Sequence, residues 1–205
     1  MAGKYNPEKH NRRSIRLKGY DYAQCGAYFI TICTQDRQCL LGEIQNGEMH
    51  LNEIGYMVQN AWNELPAKYT GIDIDESIIM PNHMHGIIIL PAPVGAGPRA
   101  CPEYKQPRPN SNARNNADYI PTQTGHPQGG APTLPDIVHR YKSFTTSEYR
   151  TNVVKLNWPP FPGRLWQRNY YERIIRNDSE INRIRLYIIN NPLRWDDDEN
   201  NPANL

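Results

Sequence analysis

The sequence lacks three features that would decide its class at once. Its four cysteines, Cys25, Cys33, Cys39 and Cys101, form no CxxC pair. Neither a cysteine-rich zinc module nor a disulfide-built secreted scaffold is therefore expected. No leader-like segment and no long apolar span interrupts the chain, which points to a soluble cytoplasmic protein without membrane attachment. A strong charge of either sign is also missing: 23 Lys and Arg stand against 21 Asp and Glu, a net charge of +2. The chain as a whole is no polyanion magnet, so a nucleic-acid surface would have to come from local segregation of charge. What is abundant is proline, with 18 residues, many of them in one stretch, and aromatic residues, with 13 tyrosines and four tryptophans. At 205 residues the chain can bury one sizeable core, with room for an extension.

The most informative stretch is residues 76–90, ESIIMPNHMHGIIIL. Apolar runs flank the polar centre Pro81-Asn82-His83-Met84-His85, and the second run, Gly86 to Leu90, reads as a buried central strand. Strand side chains alternate faces, so His83 and His85 point one way and Met84 the other. Two neutral imidazoles on adjacent same-face positions can reach one divalent ion. The plainer alternative is a pair of ordinary histidines at a strand entrance.

Residues 1–18 form a basic N-terminal arm in which Lys4, Lys9, Arg12, Arg13, Arg16 and Lys18 face a single acid, Glu8. Such an arm is either a solvated tail or a set of phosphate contacts. Ala27 to Thr34 reads as an inner strand, apolar on both faces. Leu40–Ile44 and Glu48–Leu51 flank Gln45-Asn46-Gly47, a hairpin signal. Asn52 can cap a helix running to about Lys68, with Ile54, Met57, Val58, Ala61, Trp62 and Leu65 on its apolar side. Residues 71–80 give the next strand, antiparallel to the one that follows it. At 91–131 the pattern collapses into a Pro-, Asn- and Gly-rich insertion. Helical periodicity returns with Leu134, Ile137, Val138, Tyr141 and Phe144. Leu165 to Ile175 reads as a fourth strand with an irregular start. Asn177 or Asp178 caps a last helix, and the acidic run Asp196–Glu199 opens a tail, 196–205, read as disordered. In that last helix Tyr187 and Asn191 lie one turn apart on one face. Beside a divalent site, Tyr187 becomes a phenolate nucleophile that needs a base or a favourable field, and Asn191 offers an oxygen ligand. Spacing alone does not bring this helix to the histidine strand.

Taken together, several segments resemble the HUH-class single-tyrosine transposases, most closely the REP-associated tyrosine transposases. They are Tyr28-Phe29-Ile30-Thr31, Met80 to Gly86 with its His-hydrophobic-His motif, Lys142-Ser143-Phe144-Thr145, Trp166-Gln167-Arg168 with Tyr170 and Tyr171, Glu172 to Arg176, and Tyr187-Ile188 with Asn191-Pro192. The resemblance spans about residues 12–195 apart from the insertion, and assigns 19–195 to a transposase-like domain. It implies an α+β fold with a ferredoxin-like antiparallel sheet, packed helices and a C-terminal catalytic-tyrosine helix. It implies metal ligands at His83, His85 and Asn191, a nucleophile at Tyr187, and Mg2+ or Mn2+ as the ion. The expected partner is single-stranded or hairpin DNA, cleaved and rejoined through a 5′-phosphotyrosine link, and the transposase relatives extend the expectation to a homodimer. Phosphate contacts are expected from Arg12, Arg13, Arg16, Lys142, Arg168 and Arg173. The long insertion departs from the family pattern.

Rival readings stand beside this one. In a hydrolytic metal nuclease water would attack and Tyr187 would be structural. A domesticated DNA-binding module would recognise a hairpin without cutting it. A zinc-stabilised domain would need better cysteine spacing, and a plain ferredoxin-like RNA-binding protein would leave the paired histidines and the tyrosine helix unexplained.

Overall fold

The computed structural model describes residues 24–69, 71–90 and 132–204. The basic arm and the insertion lie outside these residues. The described chain runs β1 (Gly26–Cys33), β2 (Gly42–Gln45), β3 (Glu48–Leu51), α1 (Glu53–Asn63), α2 (Leu65–Lys68), β4 (Asp73–Ile79), β5 (His83–Leu90), α3 (Leu134–Lys155), β6 (Tyr171–Ile175) and α4 (Asp178–Ile189). A four-stranded sheet in the order β4-β5-β1-β6 is antiparallel throughout, and β2 and β3 pair separately as a hairpin. The result is a mixed α+β fold with helices packed on an antiparallel sheet.

The two-sided apolar pattern of β1 follows from its central position. Tyr28, Ile30 and Ile32 join Met84, Ile88 and Leu90 of β5 in one core layer, beneath α1 and α3. Ala27 and Phe29 face the other way, with Ile87, and meet Ile181, Ile184 and Ile188 of α4. Each strand thus supplies two cores by simple alternation. Because β5 obeys the same alternation, its His83 and His85 lie on the α4 face.

Local signals account for the element ends. The Asn52 side chain accepts from the Gly55 N–H at 2.9 Å and starts α1. The helix expected to run on to Lys68 divides at Glu64, and Pro66 sits in the first turn of the short α2. Thr133 and Asp136 form a reciprocal capping box at the head of α3. The buried stripe of α3 continues from Tyr141 to Thr145 and Tyr149, whereas Phe144 is exposed beneath the Lys68 ammonium, which corrects the expected stripe. Asn46 and Gly47 both take positive φ in the β2–β3 turn, the primed geometry that suits tight hairpins.

Two irregularities position the site. An extra residue in β4, between Ile74 and Ser77, interrupts its register with β5. At this bulge Asp75 receives a two-pronged contact from Arg185 of α4, Nε to Oδ1 at 2.7 Å and Nη2 to Oδ2 at 2.6 Å. The second irregularity lies where the fourth strand begins. From Thr31 to Thr34 β1 advances three residues, while its partner runs five, from Tyr171 back to Trp166. The surplus makes an arch, and Lys142 Nζ gathers its carbonyls, reaching Gln167 at 2.6 Å, Arg168 at 3.2 Å and Asn169 at 3.4 Å.

Gly86 separates the histidine end of β5 from its apolar run, and a Cβ there would overlap the Trp62 indole of α1. Trp62 is fully buried, so it has no free space to yield. Gly86→Ala is expected to cost about 1–3 kcal/mol through overpacking, read as a lowered denaturant midpoint. An unchanged midpoint would contradict this packing.

Candidate functional site

The site starts from cross-strand register. Thr31 of β1 lies opposite His85 of β5, and Cys33 lies opposite His83. The Thr31 hydroxyl is 2.8 Å from His85 Nδ1. Asn82, just before β5, fixes the other ring. Its amide donates to the carbonyls of Arg37 at 2.9 Å and Asn200 at 2.7 Å. Its Oδ1 is therefore the atom turned toward His83 Nδ1, at 2.9 Å, where it can only accept. His83 Nδ1 carries the proton, and the neutral ring presents a bare Nε2.

That Nε2 lies 3.1 Å from His85 Nε2. Thr31 can donate or accept, so the His85 tautomer can adapt. With its proton on Nε2, His85 donates to His83. With its proton on Nδ1, two bare nitrogens face each other, and that arrangement needs a cation between them. Ligands about 2.1 Å from one ion and at right angles around it lie about 3.0 Å apart, close to the 3.1 Å between these nitrogens. Both rings are buried. Burial, opposed by Asp198 and Asn191, pulls His83 down to about 4. Burial and then the His83 charge hold His85 well below the usual imidazole range. Both are neutral at pH 7, as metal ligation requires.

Two oxygens complete the surroundings. Asn191 follows α4 with helical backbone angles and is 2% exposed, yet its Oδ1 has no hydrogen-bond partner among the described residues. A buried amide oxygen without a partner is costly unless something meets it. Asp198 Oδ2 stands 3.9 Å from His83 Nε2. His83, His85 and Asp198 bring ligand atoms within 4.8 Å of one another and form a cluster able to chelate a divalent metal. The donors therefore fit such an ion: two neutral imidazoles, a carboxylate and an unpartnered amide oxygen.

Tyr187 borders this cluster. Its hydroxyl is 3.4 Å from His85 Nε2, and its ring packs edge-on to Phe29 and His85, with centroids 6.0 and 5.2 Å away. Burial and then Asp198 raise the phenol above its ordinary pKa, and Asn191 offsets part of that rise. The ring is 43% exposed and lines an open cavity of about 540 Å³ together with Thr31, His85, Tyr171 and Arg183.

The structure thus brings His83, His85, Tyr187 and Asn191 together. Of the expected basic contacts, Lys142 faces inward onto the arch, and burial lowers it to about 8. Arg173 pairs with Glu180 at 2.7 Å, whereas Arg168 is exposed and makes no ion pair among the described residues. Arg12, Arg13 and Arg16 lie outside the described residues. The acidic run corrects the sequence reading. Instead of a disordered tail, Pro192–Asp197 forms a short 3-10 segment, and Asp198, Asn200 and Asn201 are buried. Asp198 thereby reaches the histidines, helped by the Asn82 bond to the Asn200 carbonyl. Sequence reasoning missed Asp198, Asn82 and Thr31. Asn82 stood inside the histidine motif, whereas Thr31 depended on a register that the sequence does not print.

No protein-family model matches the chain. An uncharacterized protein of Haemophilus influenzae (strain ATCC 51907 / DSM 11121 / KW20 / Rd) is 39% identical over 199 residues, covering 97% of this chain and 98% of that protein. Among solved structures, a REP-associated tyrosine transposase bound to a REP hairpin is 17% identical, with 89% of this chain and 74% of that chain covered and a TM-score of 0.45. A proposed transposase from Deinococcus radiodurans R1 is 16% identical, with 86% and 97% covered and a TM-score of 0.42. Neither of these two likenesses transfers a role to any residue. The 39% identity across nearly the whole of both sequences places this chain in one family with the Haemophilus influenzae protein.

Proposed function

We propose that the protein is a metal-dependent single-strand DNA transesterase of the HUH type, cleaving and rejoining hairpin-bearing DNA through Tyr187. The observation that carries this reading is the contact of Tyr187 with the paired imidazoles through His85, with the buried, unpartnered Asn191 oxygen beside them and an open cavity that Tyr187 and His85 both line. The strand order β4-β5-β1-β6, with α1 between β1 and β4 and α3 between β5 and β6, supports a ferredoxin-like core to which α4 adds the tyrosine helix. The sequence resemblance to the REP-associated tyrosine transposases points the same way.

His83 and His85 would hold the ion, with Asn191 and Asp198 as the oxygen donors. Mixed nitrogen and oxygen ligands suit Mn2+ better than an all-oxygen set would, and Mg2+ remains compatible. When bound, such an ion supplies positive charge against the scissile phosphate oxygens. The protein's own residues do the rest. Phe29 and His85 hold the Tyr187 ring at the cavity wall. Tyr187 Oη forms the new P–O bond as the bond to the 3′ oxygen breaks, and the phenol proton is balanced by the proton gained on the released 3′-OH. The phosphotyrosine link conserves the diester energy, so a 3′-OH can reverse the step. The raised phenol pKa makes deprotonation a burden that the bound ion's field would relieve. Tyr171, half exposed at the same cavity, offers a face on which a base can stack.

The first test is covalent. Protein, Mn2+ and hairpin DNA taken from the gene's own flanks should yield an adduct that survives denaturation and maps to Tyr187, and Tyr187→Phe should abolish it with less than a twofold change in DNA affinity. Cleavage by Tyr187→Phe without an adduct would make the protein a water-using nuclease. An adduct on Tyr170 or Tyr171 would move the nucleophile.

The second test concerns the ligands. His83→Ala or His85→Ala should lower cleavage by at least about a hundredfold, on the scale of losing a charge-stabilising group, while hairpin binding persists. Asn191→Ala and Asp198→Asn should each cost less, since water can replace one oxygen ligand. Full cleavage in either histidine variant would contradict the assignment.

A further inference from the structure

A second cavity, of about 310 Å³, lies between α3 and the segment leading into the arch. Its walls carry His139 and Arg150 of α3, and Arg164 and Arg168 of that segment, with the hydroxyls of Ser143 and Thr146 between them. No carboxylate lines it. Among the described residues Arg164 and Arg168 have no ion-pair partner, and both are exposed. For a chain whose charges nearly balance overall, this is the local segregation that a polyanion surface requires.

Its position ties it to the tyrosine site. Gln167 and Tyr170 line both cavities. The sheet ends at β6, and the arch beyond β6 divides the α4 face from the α1–α3 face. A strand leaving the tyrosine cavity past Tyr171 would round the sheet edge at the arch and meet the second cavity next. The arch would be a poor guide if it moved, but Lys142 clamps three of its carbonyls. Lys142 is therefore a positioning residue, with its donors spent on main chain and none left for phosphate.

We propose that this cavity is a subsite for a flanking nucleotide of the single-stranded DNA substrate. Arg164, Arg168 and His139 would meet the phosphates, and the part-buried Tyr170 ring would meet a base. The substrate class rests on the transesterase reading, whereas the cavity's chemistry stands without it. A combination of cations, hydroxyls and ring faces is what single-stranded nucleic acid selects. Two cavities joined at one wall would make affinity depend on strand length.

The test is binding alone, so it does not depend on an adduct. Fluorescently labelled dT16 and dT4 are titrated against the full-length protein, against Arg164→Ala/Arg168→Ala, and against Arg140→Ala/Lys155→Ala. The last variant removes two exposed basic residues of α3 that do not line the cavity, and it controls for charge alone. The cavity variant should bind dT16 about tenfold more weakly and lose about 1.4 from its salt slope, the single-strand value for two phosphates. Its preference for dT16 over dT4 should shrink, while the control changes less than twofold. In the wild type, 4-thiothymidine placed within dT16 should crosslink to the peptide holding residues 164–170. Equal loss in both variants, or an unchanged dT16 affinity in the cavity variant, would overturn the proposal. An absent Tyr187 adduct alongside the expected binding losses would reject the transesterase reading and leave the subsite standing.

Discussion

The site depends on one hydrogen bond, from His83 Nδ1 to Asn82 Oδ1. Asn82 has no freedom to turn, because its amide nitrogen is held by two carbonyls from distant parts of the chain, those of Arg37 and Asn200. The fixed oxygen selects the His83 tautomer and aims a bare Nε2 at His85. Fixing a ring by its remote nitrogen is how proteins prepare imidazole for a metal. Here the same amide also fastens the segment that delivers Asp198. One side chain thus sets both the nitrogen and the carboxylate sides of the cluster.

The arrangement works against stability in the absence of a ligand. Two imidazoles occupy the buried mouth of a central strand, where apolar side chains would otherwise add to the core. Asn191 adds a buried oxygen without a partner among the described residues. Such features cluster where structure is spent on chemistry. They are tolerated because the surroundings are fixed by independent means: the Asp75–Arg185 contact docks α4, Asn177 and Glu180 secure its first turn, and Lys142 fixes the arch.

Much of this was legible in the sequence because it rests on local rules. Alternation put His83 and His85 on one face, the Asn-Gly turn gave the hairpin, and helical spacing joined Tyr187 to Asn191. What stayed hidden depended on long-range pairing. The Thr31–His85 bond needs the β1–β5 register. Asp198 sits in a run of acids that reads as solvated, and only its main-chain bond to the Trp195 carbonyl and the anchoring of Asn200 by Asn82 reveal another place for it. Lys142 shows a different limit. Its basic character suggested phosphate, but the carbonyls of a bulged segment, invisible to any periodicity, take all its donors. Phe144 looked like core because it is apolar, and its position on α3 turned it outward.

The central claim is that these side chains hold one divalent ion, and direct Mn2+ binding tests it without any DNA. Free Mn2+ can be followed by electron paramagnetic resonance during titration of metal-stripped protein. The account predicts one Mn2+ per chain in the wild type and loss of that site in His83→Ala, with the variant still folded by circular dichroism. Retention of full Mn2+ binding by His83→Ala, or the absence of any stoichiometric site in the wild type, would contradict it.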